Sequence, residues 1–106
     1  WGSPDVVRDF LYVKDVVKGC LLVLEKGESM KPYNVGYGTT VNIGDIVNTI
    51  LKVTGKTPDV QWDNSKPTTI PFRSCSTERI ETELGFKPDY TFEQGMKETI
   101  EWYENL

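Results

Sequence analysis

Arg8, Lys66 and Trp1 carry chemistry that a plain hydrophobic core does not require at their positions. Arg8 lies in "VVRDFLYV", next to Asp9 and seven residues before Asp15. A guanidinium is permanently charged and can fork onto two phosphate oxygens. It can equally form a simple salt bridge to Asp9 or Asp15. Lys66 stands directly before Pro67 in the polar stretch "DNSKPTT". An ammonium on such a loop can close on a phosphate, or it can merely be solvated. Trp1 precedes Arg8 by seven residues. Its indole can stack on a flat ring or pack a sugar face, or it can fill a core as a terminal residue. The chemistry in view is recognition of a phosphorylated small molecule.

Residues that transform a substrate are harder to find. The chain has no histidine, so no imidazole base is available. None of Tyr12, Tyr33, Tyr37, Tyr90 and Tyr103 is followed four positions later by a lysine. Such a lysine would lower the phenol's pKa for proton transfer. "GYGTTVNIG" offers Gly36 and Gly38 but lacks the third glycine of a dinucleotide fingerprint. A strand-to-helix turn is the better account of that stretch. Cys20 and Cys75 lie far apart and match no zinc spacing. No catalytic, cofactor-binding or metal-ligating residue is therefore assigned. Cys20 is expected to pack in a helix, and free thiols suit a reducing, cytoplasmic setting.

The bulk properties narrow the partners. A net charge of -4 and a pI near 4.8 argue against a broad nucleic-acid or anionic-membrane surface. They leave room for a local basic pocket. No apolar run reaches the roughly 18 residues of a membrane span, and no signal peptide is recognised. The length of 106 residues is enough for one domain with a modest core. The chain opens on Trp1 and its first methionine is Met30, so it reads as a fragment or processed product.

The elements that must hold these residues follow an α/β order. A strand is expected over 6–13, then a helix over about 16–26 capped by Asp15 and stopped by Gly27. Val16, Val17, Cys20, Leu21 and Leu24 form the expected inward face of that helix. "PYNVG", 32–36, reads as a second strand. A second helix, about 43–54, starts from Asn42 or Thr40 and ends at Gly55. "PDVQW", 58–62, reads as a short strand, and "PFRSCS", 71–76, as a strand or extended arm. Ser76 or Thr77 caps a helix to Leu84, with Gly85 as its stop. Thr91 and Gln94 make a capping box for a last helix, about 92–104. Phe92, Met96, Ile100 and Tyr103 are expected inward there, with Trp102 at the edge. Gly95 within that helix is expected to mark close packing.

Taken in order, "RDFLYVKDVVKG", "YNVGYGTTVNIGDIV" and "SKPTTIPFRSCSTERIETELGFKPDYTFEQGMKETIEWY" resemble the C-terminal third of the extended short-chain dehydrogenase/reductase family. The likeness covers essentially the whole chain. "WGSPDVVRDF" and "WDNSKPTTIPFR" look most like the GDP-fucose synthase branch. The family comprises NAD(P)-dependent nucleotide-sugar epimerases, dehydratases and reductases. The resemblance implies a two-part enzyme, with a large Rossmann domain for NAD or NADP and a smaller C-terminal region for the nucleotide sugar. It implies that Arg8 meets the substrate pyrophosphate and that Lys66 is the basic residue of a K/R-P motif at the nucleotide. It implies that Trp1 faces the sugar nucleotide, and that Asp63 accepts from base or ribose. Arg73 can add charge near the same pocket. Ser76 departs from the usual aspartate before the following helix.

On this resemblance, residues 1–106 form a single substrate-binding region, inactive alone and without a cofactor of its own. Its partners are the nucleotide sugar and an N-terminal Rossmann domain. The family also sets the "YNVG" strand against the Rossmann sheet, so its edge here is left for pairing, covering or self-association. Asp9 is expected to orient Arg8. The competing reading is a free-standing, non-catalytic binding or interaction module derived from the same family.

Overall fold

The computed structural model describes residues 2–106. Trp1 lies outside the described residues. Three two-residue strands and four helices follow one another along them. These are β1 (Val7–Arg8), α1 (Val13–Lys26), β2 (Val41–Asn42), α2 (Ile43–Thr54), β3 (Phe72–Arg73), α3 (Glu78–Leu84) and α4 (Phe92–Glu104). The strands form one small sheet in the order β2-β1-β3. β1 runs antiparallel to β2, with Val7 opposite Asn42 and Arg8 opposite Val41. It runs parallel to β3, with Val7 opposite Phe72 and Arg8 opposite Arg73. The α/β class and the helix number match the sequence expectation.

Local signals set most helix ends. Asn42 caps α2 by accepting from the Asp45 N–H at 2.7 Å. Gly55 and Gly85 end α2 and α3 in the left-handed region, with φ of 66° and 70°. The Thr91–Gln94 capping box closes in both directions, at 2.8 and 3.2 Å. Gly95 is buried, and a Cβ there would come within 2.8 Å of Tyr12 Cβ. That is the close packing its position in a helix implied.

Several expectations are corrected. The strand over 6–13 shrinks to Val7–Arg8, because α1 begins at Val13 with Tyr12 as its N-cap. Asp15 therefore caps nothing. It sits in the first turn, buried, and accepts the N–H groups of Asp89 (2.8 Å) and Tyr90 (3.2 Å). Its carboxylate ties the α3–α4 connection to α1. Residues 32–36 form no strand. No ladder partner lies beside them, and side chains hold the segment instead: the Asn34 amide donates to Ser76 O at 3.0 Å. The expected strand edge is thus absent among the described residues. Residues 58–62 are likewise irregular, without a neighbouring strand. Tyr103 points out, 71% exposed.

The largest departure concerns α1. Asp15 and Gly19 are its buried positions, packed toward α3 and Phe86. The apolar face expected inward, Val16, Val17, Cys20, Leu21 and Leu24, is exposed instead. Leu24 is 83% accessible. Among the described residues the fully buried apolar side chains are only Ile80 and Phe86, with Val6 nearly so. The Cα radius of gyration is 16.2 Å, whereas a closed domain of this length has about 13 Å. The chain is an open body, 49 × 33 × 20 Å, with apolar surface left uncovered.

Candidate functional site

The site grows from the β1–β3 pair. Arg8 is half-buried at the end of β1. Its Nη1 donates to Val7 O at 2.6 Å, and its Nη2 to Thr69 Oγ at 3.2 Å. Neither neighbouring acid pairs with it. Asp9 accepts the Tyr37 N–H at 2.8 Å and receives the Cys75 thiol at 3.9 Å. Asp15 is committed to Asp89 and Tyr90. Asp9 therefore anchors the turn after residue 36 and does not orient Arg8. The salt-bridge account of Arg8 fails on geometry, and the guanidinium stays uncompensated among the described residues.

Lys66 belongs to the arm over 63–71. One end of the arm is tied to the chain start, where Gly2 N–H donates to Asp63 O at 2.8 Å. The other end meets β1, where Val7 N–H donates to Pro71 O at 2.8 Å. Thr69 then touches Arg8 directly. The arm that carries Lys66 is thus laid along the segment that carries Arg8. Lys66 is exposed and has neither an ion pair nor a side-chain hydrogen bond among the described residues.

Asp63 folds its own loop. Its Oδ1 accepts from Ser65 N–H (3.0 Å) and Ser65 Oγ (2.6 Å). The Ser65 hydroxyl and N–H hold the carboxyl below its ordinary value, so it remains an ionised acceptor. Trp1 falls outside the described residues. Arg8, on the central strand, and the arm that carries Lys66 are therefore brought side by side, while Asp63 stands at the far end of the arm.

Gly36 and Gly38 do not make a phosphate cradle. A Cβ on Gly36 would meet Asp9 Oδ2 at 2.7 Å and Cys75 Sγ at 2.9 Å. The glycine lets the backbone pass close to a carboxylate, which repels an anion. Burial and then Asp9 push the Cys75 thiol up, away from reactive thiolate.

The sequence reading missed two features. Thr69 orients Arg8, and nothing in the type or spacing of a threonine in a polar loop announces that. The second is a hollow of about 690 Å³ away from Arg8, lined by Phe10, Tyr12, Tyr90, Phe92, Met96 and Trp102. The Tyr12 and Tyr90 rings meet edge to face at 4.8 Å. Glu98 accepts from Tyr12 Oη at 2.7 Å and from Lys14 Nζ at 2.6 Å. These bonds lower the Glu98 pKa and raise those of Tyr12 and Lys14. The rest of the lining is mostly apolar and includes Val13, an exposed residue at the start of α1.

Comparison with known proteins places the chain. The sequence model of the family described as GDP-mannose 4,6 dehydratase matches residues 1–99. A probable GDP-L-fucose synthase 1 of Oryza sativa is 31% identical over 107 aligned positions, covering 100% of this chain and 32% of its own. The structure of dTDP-glucose 4,6-dehydratase from Bacillus anthracis, in complex with NAD, superposes with a TM-score of 0.88 at 32% identity. It covers 99% of this chain and 33% of that one. UDP-glucose 4-epimerase from Thermotoga maritima, with UDP-glucose, superposes with a TM-score of 0.89 at 26% identity, covering 99% and 34%. The chain spans about a third of the length of these relatives. It belongs to the GDP-mannose 4,6 dehydratase family, within the extended short-chain dehydrogenase/reductase enzymes that act as nucleotide-sugar epimerases and dehydratases.

Proposed function

We propose that this chain is the nucleotide-sugar-binding C-terminal part of an NAD(P)-dependent epimerase, dehydratase or reductase, close to the GDP-fucose synthases. The observation that carries the proposal is an arginine left without a carboxylate among the described residues, the two acids that follow it, Asp9 and Asp15, both being engaged elsewhere. The diphosphate of a nucleotide sugar supplies the missing counter-charge, and Arg8 forks onto it. Lys66 closes from the arm as a second cation. Asp63, ionised, accepts from ribose or base, and Trp1 packs the sugar nucleotide. These groups bind and orient the substrate, and none of them moves a proton or a hydride.

NAD or NADP supplies the hydride exchange in the complete enzyme. The G-x-G turn of this chain faces a carboxylate and offers that cofactor's diphosphate no cradle. The uncovered α1 face and the hollow beside it form the surface against which the N-terminal Rossmann domain packs. Covering them removes the apolar exposure that a chain folded alone retains.

The test compares the 106-residue chain with the complete polypeptide that carries it. Nucleotide-sugar affinity is measured by calorimetry, and turnover is followed by nicotinamide absorbance. The complete polypeptide should bind both ligands, and the short chain should turn over nothing. Robust turnover by the short chain would overturn the assignment.

A further inference from the structure

Arg8 has an in-register neighbour that the binding scheme leaves unused. In the parallel pair β1–β3, Arg8 stands opposite Arg73. Residues directly opposite in a ladder share a face of the sheet, and neighbouring strands lie about 4.8 Å apart. Two guanidinium-bearing residues therefore stand side by side, where like charges repel. No carboxylate lies within ion-pairing distance of either among the described residues. Acids are not scarce in this chain: it has 16 Asp and Glu against 12 Lys and Arg. Lys14, Lys18, Lys31, Lys52 and Lys97 each find one. β3 is an edge strand and Arg73 is exposed, so the pair opens to solvent beside the Lys66 arm. The ladder fixes the Arg73 backbone against β1, whereas Lys66 lies on a loop.

We infer that Arg73 is a further substrate-binding residue, which with Arg8 forms a twin-guanidinium clamp for the diphosphate of the bound nucleotide sugar. The inference rests on the function proposed above and adds a residue to it. The anion neutralises both charges on residues that the ladder sets opposite one another. Loss of either arginine therefore weakens diphosphate binding, and loss of one relieves repulsion in the unliganded protein.

The experiment uses the complete polypeptide with Arg73→Gln, Arg8→Gln and the double variant. Affinities for GDP- and UDP-sugars and for NAD(P) are measured by calorimetry, together with the unliganded melting temperature. Arg73→Gln should weaken sugar-nucleotide affinity about 10-fold or more, leave NAD(P) affinity intact, and leave the melting temperature unchanged or raised. The double variant should lose less than the product of the single losses, because both arginines hold one group. If Arg8→Gln weakens binding and Arg73→Gln does not, the clamp is overturned while the proposed function stands. A lowered melting temperature with unchanged affinity for Arg73→Gln also overturns the clamp. If neither substitution changes affinity, the proposed function falls with it.

Discussion

At the scale of single residues, the fold is decided by where a few acids go. Asp15 is buried and accepts two backbone N–H groups from the α3–α4 connection. Asp15→Ala would leave both donors without a partner in a buried place. The expected loss is about 2–4 kcal/mol of unfolding free energy, read by chemical denaturation; Asp15→Asn, which keeps an acceptor, should lose less. Glu98 gives a pH-dependent case. Lys14 and then Tyr12 hold its carboxyl below the ordinary 4.5, so the folded state binds its proton more weakly than the unfolded chain does. The associated stability is fully present above 4.5 and is lost as pH falls through the lowered folded value. Glu98→Gln should therefore cost stability at neutral pH, and the gap to the unmodified chain should narrow on acidification. A gap that is constant from pH 7 into the acid range would contradict the assigned role. The sequence showed Arg8 as a phosphate ligand or a salt-bridge partner. It could not show which, because the partners of Asp9 and Asp15 lie 28 and 74 residues away.

At the scale of elements, short-range signals were legible and long-range ones were not. Asn42, Gly55, Gly85 and the Thr91–Gln94 box act within a few residues, and each performs its expected part. Strand assignment depends on a neighbour that composition does not reveal. "PYNVG" has the right residues for a strand and no ladder to join. Val41–Asn42, between a turn and α2, pairs with β1 instead. The start of α1 was misplaced for a related reason: Asp15 looks like a cap in sequence and is a tertiary acceptor in space. Gly95 tests the packing of α4 on the loop before α1. Alanine there gains about 1 kcal/mol of helix propensity. Its Cβ would meet Tyr12 Cβ at 2.8 Å and Cγ at 2.9 Å, and overpacking of that kind costs about 1–3 kcal/mol. Gly95→Ala should thus be neutral to destabilising by about 2 kcal/mol in thermal or chemical unfolding. A clear stabilisation would mean that the ring moves aside freely.

At the scale of the molecule, the central fact is apolar surface without a cover. The α1 stripe was read correctly as an apolar face and wrongly as an inner one. A hydrophobic pattern says that a face wants burial, not which body buries it. The 106-residue chain alone should bind hydrophobic dyes and self-associate, and Val17→Lys with Leu21→Lys should reduce both effects in sedimentation and dye titration. A dilute, dye-silent monomer would argue that α1 needs no partner. The account as a whole rests on Arg8 meeting a diphosphate, and it is tested most directly by calorimetric affinity of the complete polypeptide for GDP- and UDP-sugars with Arg8→Lys and Arg8→Ala. Arg8→Lys keeps the charge but loses the fork, so affinity should fall. Arg8→Ala should weaken it further, by roughly 10- to 100-fold in total, with NAD(P) affinity and melting temperature nearly unchanged. Unaltered affinity together with a lowered melting temperature would contradict the account and make Arg8 a structural residue.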